Sequence, residues 1–139
     1  MSLIVRIVLI FALCSLSGCV AMLWPHTEQV VPAVTGTVLR NGEPVSGASV
    51  FIVASLRANA CTTSKYKAVT DKSGHFAIGG DSDLHLFVVM GDRLDSWGIC
   101  IEESGSRIPA LQSHGIGYPP TAVTVVCDLG RSENICQGA

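Results

Sequence analysis

The sequence has no concentration of positive charge that would suit a nucleic acid. Its 139 residues include 9 Lys and Arg against 11 Asp and Glu, a formal net charge of −2, and the basic residues are scattered along the chain. Proteins that bind nucleic acids neutralise the phosphates with a basic patch or stripe. We therefore expect no nucleic-acid partner.

The common motifs for metal binding and hydrolysis are also missing. No Cys-x2-Cys pair is present, the shortest cysteine spacing beyond residue 19, Cys127 to Cys136, holds no His, and no Gly-x-Ser-x-Gly motif occurs. Structural zinc sites need paired Cys or nearby His ligands, and α/β-hydrolases carry the Gly-x-Ser-x-Gly turn. We expect no metal, no other cofactor and no catalytic residue.

Isolated histidines and aspartates are expected to have structural roles. His75 precedes Phe76, and His85 lies between Leu84 and Leu86. Each histidine is predicted to point outward from a half-buried strand, because side chains alternate between the two faces of a sheet. Four aspartates flank the apolar segment Leu84–Met90. Their spacing matches no EF-hand loop, so we expect them to form turns or caps and not to bind Ca²⁺. These are Asp81, Asp83, Asp92 and Asp95.

The N-terminus carries the one long apolar run, and this run is too short to remain in a bilayer as a helix. Arg6 precedes the unbroken run Ile7–Leu13, and Leu16-Ser17-Gly18-Cys19 follows. This order is typical of the charged region, apolar region and cleavage site of a secretory signal, whereas a membrane-spanning helix needs about 20 apolar residues. Residues 16–19 match the bacterial lipobox at every position. We predict a signal peptide over residues 1–18 and lipid attachment at Cys19.

The lipobox resemblance implies a location in the cell envelope. In lipoproteins of this kind, diacylglycerol is joined to the Cys thiol, the signal is cut before it, and further acylation (commonly palmitate) gives three chains, which hold a protein far more firmly than one. Val20 stands where Asp would favour the inner membrane, so the outer membrane, facing the periplasm, is favoured over the inner membrane. Residues 19–32, with Pro25 and Pro32, are interpreted as a lipidated tether. The alternatives are an ordinary signal peptide cut elsewhere and an uncleaved anchor.

The remaining cysteines predict disulfides. Cys14 leaves with the signal, and four cysteines remain after Cys19. Four thiols in an exported domain favour two disulfides, because the periplasm is kept oxidising. Three pairings are possible and the sequence alone does not select one. We favour Cys127–Cys136 and Cys61–Cys100.

Residues 33–139 are predicted to form one all-β domain. The apolar residues follow period two, turn residues are frequent, and no segment keeps a helical period for long. About seven short strands suggest a seven-stranded β-sandwich of two packed sheets, with Glu103–Pro120 as a long irregular loop. The predicted strands are Val34–Leu39, Ala48–Ser55, Tyr66–Thr70, His75–Ile78, Leu84–Met90, Trp97–Glu102 and Thr121–Cys127.

Three motifs in this domain resemble those of a known sandwich family. The segments Val34–Val38, Asn41–Val50 and Thr70–Phe76 are similar to the G-x-V, G-x-P-(V/L)-x-G-(A/V)-x-V and T-(D/N)-x-x-G-x-F motifs of carboxypeptidase regulatory-like (transthyretin-like, prealbumin-like) domains. In the third motif Asp71 is expected to cap the turn, Gly74 to take the left-handed conformation and Phe76 to enter the core. The resemblance covers about a third of the chain and implies an Ig-like or transthyretin-like fold, not an activity.

Signatures of the active relatives of this architecture do not match the chain. Hydroxyisourate hydrolases end in Tyr-Arg-Gly-Ser, whereas this chain ends in Cys136–Ala139; intradiol dioxygenases use two Tyr with a His-x-His pair, which is missing here. Pilin-like sandwiches with isopeptide bonds need a Lys in the first strand, where Val34–Leu39 has none. None of these three activities is therefore expected of the domain.

These features together favour a non-catalytic cell-envelope lipoprotein that acts as a binding or structural module. The loop Glu103–Pro120 is the expected recognition element, because long irregular loops in compact domains are often functional. Its partner would be an envelope protein or a glycan, and the candidate partner surface comprises Trp97, His114 and Tyr118. One alternative is a periplasmic hydrolase that uses His114 with a loop Ser or Asp. Another is an immunity-type lipoprotein that neutralises a toxin.

Cys19→Ala is expected to block lipid attachment, because only a thiol forms the thioether, and to leave unprocessed or mislocalised precursor. Metabolic labelling with a fatty acid and membrane retention after a carbonate wash measure both effects. Cys14→Ala is the control, and this variant should be processed normally because Cys14 is discarded. A Cys19→Ala protein that is still acylated and membrane-bound would show that the assigned site is wrong.

Overall fold

A computed structural model describes residues 21–54, 61–62, 64–89 and 91–138. The predicted signal peptide and Cys19 lie outside these residues. The described part contains eleven β strands and no helix. The strands are β1 (Ala21–Val31), β2 (Ala33–Arg40), β3 (Glu43–Pro44), β4 (Ser49–Ala54), β5 (Lys67–Val69), β6 (His75–Ile78), β7 (Asp81–Val89), β8 (Leu94–Glu103), β9 (Ser106–Ile116), β10 (Ala122–Asp128) and β11 (Cys136–Gly138).

The strands form three sheets. A two-stranded ribbon pairs β1 with β7, a five-stranded sheet has the order β11-β10-β2-β3 with β6 also paired to β2, and a four-stranded sheet has the order β5-β4-β8-β9. The pairing of β2 with β10 is parallel, and all other pairs in the two larger sheets are antiparallel. The described residues divide into two compact units, 21–26 with 85–89 and 91, and the rest, which contains both larger sheets.

Alternation along the strands directs one face of each larger sheet into a shared core. In β2, Val34 and Val38 are fully buried and the intervening threonines point away; in β8, Ile99 and Ile101 are fully buried. Burial of such a side chain stabilises the fold by about 1.5–3 kcal/mol. Two sheets around one core are the layers of a β-sandwich, and the predicted all-β class is confirmed.

Gly36 allows the close approach of β10 to β2. A Cβ atom at this position would overlap the carbonyl oxygen and a methyl group of Val125. The two strands are neighbours over seven residue pairs, with Gly36 directly opposite Val125. A larger residue would therefore push apart the parallel pair at the centre of the sheet.

The turn between β5 and β6 has the predicted hydrogen bonds. The Asp71 carboxylate accepts from the backbone N–H groups of Ser73 at 2.8 Å and His75 at 2.9 Å, Gly74 has φ of 75°, and Phe76 is buried. These features confirm the roles expected for the motif. The structure adds two hydrogen bonds at Thr70, the residue before this turn. The Thr70 hydroxyl donates to the Val45 carbonyl and accepts from the Ala48 N–H.

Both favoured disulfides are present. Cys61 is joined to Cys100, with Cα atoms 5.7 Å apart, and Cys127 to Cys136, with Cα atoms 3.9 Å apart. The first ties the segment after β4 to β8, and the second joins facing residues of β10 and β11. Chain-entropy estimates give about 4 kcal/mol for the loop of 39 residues and about 3 kcal/mol for the loop of 9.

The described residues form eleven strands, whereas seven were predicted. The prediction of a long irregular loop at Glu103–Pro120 is wrong. This segment comprises the last residue of β8, a tight turn, the whole of β9 and four residues outside any strand, 117–120. Ser104 and Gly105, with φ of 52° and 81°, form the turn. In β9 a bulge places Ala110 between the partners of Ile99 and Cys100. An extra residue breaks the period of two, so the pattern did not indicate a strand.

The segment interpreted as a tether is also a strand for most of its length. β1 covers Ala21–Val31, and Val31 and Pro32 are fully buried. Prolines are tolerated in strands that have a free edge, because the missing N–H then removes no ladder bond. β1 belongs to a two-stranded ribbon, in which both strands have such an edge.

Phe76→Ala is expected to lower the free energy of unfolding by about 3–5 kcal/mol, since it removes a buried aromatic ring from the shared core. Urea unfolding of the mature protein measures the loss. The neighbouring Ala77 is exposed, and Ala77→Ser as a control should stay within about 0.5 kcal/mol of the wild type. Equal stability of both variants would contradict the register of β6.

Candidate functional site

The open end of the β8–β9 hairpin contains His114 and several exposed apolar residues. Ser96 faces His114, and Leu94 faces Ile116, across the two strands. The backbone N–H of Gly117 donates to the Arg93 carbonyl at 2.8 Å and closes this end of the hairpin. The residues Leu94, Ser96, His114, Ile116 and Tyr118 are called the hairpin-end surface below.

This surface combines an apolar pair with polar groups. Leu94 is 69% exposed and Ile116 76% exposed, and Tyr118 follows two residues after Ile116 with about half its surface exposed. Positions 94 and 96 lie on one face of β8, and their partners 114 and 116 lie on the same face of β9. His114, one of the predicted partner-surface residues, therefore lies on this face, and Tyr118, another of them, follows just beyond the end of β9.

Trp97, the third residue of the predicted partner surface, is not at the surface. It is 3% exposed and belongs to the shared core. Because it follows Ser96 in β8, its side chain points to the opposite face from the hairpin-end surface. Its indole N–H has no hydrogen-bond partner among the described residues. Trp97 is therefore a core residue and not a partner anchor.

The Ser96–His114 contact resembles half of a nucleophilic site. The hydroxyl Oγ lies 3.1 Å from Nδ1 of the imidazole. The structure thus brings Ser96 to His114, while Ser104 and Ser106 lie at the far end of the hairpin. A nucleophile–base pair also needs a group that orients the histidine and a pocket for the substrate.

Neither the carboxylate next to Ser96 nor the described cavities meet those further requirements. The adjacent carboxylate, Asp95, projects to the other face of β8, where burial raises its pKa. The described part of the chain has surface cavities of about 330 Å³ and 270 Å³, one beside Arg40 and Glu103 and one beside Pro109 and Gln112. Neither is lined by Ser96 or His114. A cross-strand hydrogen bond on an exposed surface accounts for the contact.

A buried carboxylate holds Tyr118 in place. Glu28, 8% exposed, accepts a hydrogen bond from the Tyr118 hydroxyl at 2.9 Å and forms an ion pair with Arg93. The Arg93 guanidinium also lies 5.2 Å from the Tyr118 ring centroid. The hydrogen bond to Glu28 raises the pKa of the Tyr118 hydroxyl, with burial as a smaller cause. This cluster joins β1 to the segments before β8 and after β9.

A second polar cluster surrounds Asp81. Its carboxylate accepts from the Tyr66 hydroxyl at 2.6 Å and from the Lys65 ammonium at 3.1 Å, which together hold the pKa of Asp81 below its usual value. Asp81 thus has the structural role expected from the sequence, although through side chains more than through a turn. Among the described residues no group of three or more His, Cys, Asp or Glu side chains is arranged to hold a metal ion.

The two strand histidines differ in orientation. His75 is exposed, as predicted, and its Nδ1 lies 3.0 Å from the Thr37 hydroxyl. His85 is half-buried, and its leucine neighbours Leu84 and Leu86 are the exposed residues. The expectation that His85 points outward between two buried leucines is therefore wrong, because the two leucines take the exposed positions of β7.

Comparison of the chain with protein-family models and with curated proteins finds no match. The part of the chain that the structure describes contains no helix that is long and apolar enough to cross a membrane.

The cluster around Glu28 predicts an elevated tyrosine pKa. The chain has two tyrosines, so in a Tyr66→Phe background the absorbance at alkaline pH reports Tyr118 alone. Its pKa should lie above the ordinary value of about 10. Since the fold favours the neutral hydroxyl, this contribution to stability is complete below pH 10 and is lost as pH rises through the raised pKa.

Glu28→Leu in the same background should return the Tyr118 pKa toward 10, because it removes the acceptor. The control is Glu103→Leu, which removes a carboxylate paired with Arg40 instead and should leave the Tyr118 pKa unchanged. A pKa that does not respond to Glu28→Leu would contradict the hydrogen bond.

Proposed function

We propose that this chain is the precursor of a cell-envelope lipoprotein whose mature domain acts by contact and not by catalysis. The signal peptide is residues 1–18, the lipid is attached to Cys19, and the domain faces the periplasm from the outer membrane. Leu16-Ser17-Gly18-Cys19 supports the anchor. The paired cysteines support export, since stable disulfides are typical of oxidising compartments and rare in the bacterial cytosol.

We also propose that the domain is of the carboxypeptidase regulatory-like, transthyretin-like type. The motif residues support this proposal because each has a definite structural role in the fold. Gly36 admits β10, Thr70 bonds to the β3–β4 connection, Asp71 and Gly74 form the turn, and Phe76 fills the core. Domains of this architecture serve many proteins, so the fold alone assigns no activity.

The observation that carries the contact function is the edge position of β9. Among the strands that the structure describes, this strand of 11 residues forms one edge of the four-stranded sheet. A long sheet edge offers backbone groups to a partner strand, and pockets or patches beside it supply selectivity. The exposed pair Leu94–Ile116 and the fixed ring of Tyr118 lie at its end. We propose that an envelope protein binds along β9 with its apolar contact at the hairpin-end surface.

The alternative function is hydrolysis at His114. The specific observation in its favour is the hydrogen-bond distance between Ser96 and His114. Weighing against it, the pair lies on an open sheet face beside neither cavity, where water would compete with a bound substrate.

Site-specific photo-crosslinking in cells tests the contact function. A photoreactive amino acid in place of Ile116 should give one discrete protein adduct, because this side chain is central to the proposed contact. Val126 of β10 is a matched control, since it is also an exposed apolar strand residue but lies in the other sheet. A photoreactive residue in its place should give no such adduct, and Tyr118→Ala should weaken the adduct at 116.

Identical adducts at both positions, or none at Ile116, would contradict the contact at β9. A hydrolytic activity of the purified protein that both Ser96→Ala and His114→Ala abolish would favour the alternative instead.

A further inference from the structure

The ribbon of β1 and β7 exposes large apolar side chains near the proposed anchor. Leu23, Trp24, Leu86 and Phe87 are 66%, 63%, 52% and 59% exposed. All four belong to the smaller compact unit, residues 21–26 with 85–89 and 91. These four residues are called the apolar ribbon.

The apolar ribbon presents hydrophobic groups on both faces. The rings of His26 and His85 contact each other with centroids 6.1 Å apart, so these two side chains share a face. Because side chains alternate along a strand, Trp24 and Phe87 lie on the face of the histidines, whereas Leu23 and Leu86 lie on the other. A two-stranded ribbon cannot bury either face by itself and is marginally stable in water.

The described strand segments of the smaller unit are also free of charged side chains. Residues 21–26 (AMLWPH) and 85–89 (HLFVV) contain no Asp, Glu, Lys or Arg. Transfer of charged groups out of water is costly, whereas transfer of apolar side chains is favourable by about 25 cal/mol per Å². A segment with this composition is therefore suited to an apolar environment, and tryptophan in particular is enriched at the membrane–water interface.

The position of the anchor identifies that environment. Cys19 precedes Trp24 by five residues, and an extended chain spans at most about 3.6 Å per residue, so the two Cα atoms lie within about 18 Å of each other. Acyl chains on Cys19 would hold this residue at the bilayer surface. The apolar ribbon would then lie within reach of the headgroups and the upper acyl chains of the adjacent leaflet.

We propose that the apolar ribbon inserts into the interface of the phospholipid bilayer that holds the acyl chains, and so forms a second membrane contact. This inference rests on the proposed lipidation of Cys19. The ribbon thereby has its apolar faces covered by lipid. Under this proposal, the segment that follows Cys19 is a strand bound to the membrane surface and not a flexible tether.

Fluorescence quenching by labelled lipids tests the second contact. The chain has two tryptophans, of which Trp97 is in the protein core. The mature, acylated protein is reconstituted in vesicles of phosphatidylethanolamine and phosphatidylglycerol that carry a spin label at a shallow or a deep acyl position. The shallow label should quench the protein more than the deep label. Trp24→Phe should abolish this quenching and leave the emission of Trp97.

Two aspartate variants provide a matched comparison. Phe87→Asp should weaken the quenching of Trp24, because it introduces a charge on the same face of the ribbon. Val69→Asp changes an apolar residue of similar exposure, 62%, in the larger unit and should leave the quenching unchanged.

Lack of Trp24 quenching in a protein shown by mass to be acylated would overturn the second contact and leave the lipoprotein proposal standing. In that case a crosslink between two copies through Phe87, or between Phe87 and another envelope protein, would identify the true cover of the ribbon. A protein without acylation would overturn both proposals.

Discussion

The structure depends on the position of β2 inside its sheet. This strand pairs with β3 and β6 along one edge and with β10 along the other. The pairing with β10 joins two segments that are far apart in the sequence. Its inward face alternates Val34, Gly36 and Val38, and the missing side chain at Gly36 lets Val125 approach. β6 brings Phe76 into the core, and β10 carries the disulfide to β11. A change at Gly36 would therefore affect the partners on both edges.

The polar side chains of the described residues serve mainly to fix loops and strand ends. Asp71 satisfies the β5–β6 turn, and Asp128 accepts from the backbone N–H groups of Asn41 and Gly130, which lowers its pKa. Glu28 fixes Tyr118. Groups that are committed to such bonds are poorly placed for proton transfer to a substrate. We propose the strand edge and the exposed apolar groups as the working surfaces, which would act by contact.

Local patterns in the sequence were sufficient for much of the fold. Every predicted strand is present, the Asp71–Gly74 turn follows from its residue types, and both favoured disulfides are formed, although the sequence alone left three pairings open. β9 was missed because the bulge at Ala110 interrupts its alternation. β1 was missed because its proline indicated an irregular spacer.

The site was less predictable, because its residues are distant in sequence. No local spacing relates Glu28 to Tyr118, which is 90 positions away, or Ser96 to His114. Trp97 was assigned to a possible binding face although one step in strand register decides whether it points to solvent or to the core. Its neighbour Ser96 takes the outer position instead.

The proposals give the protein two separate membrane contacts, one through acyl chains on Cys19 and one through the apolar ribbon. The lipid is the more fundamental of the two, since it brings the ribbon to the bilayer. The most direct measurement is the intact mass of the protein extracted from cell membranes. The expected mass is that of a chain beginning at Cys19 with three acyl chains and two disulfides. The mass of an unmodified chain, or of one cut at any other position, would contradict the lipoprotein assignment.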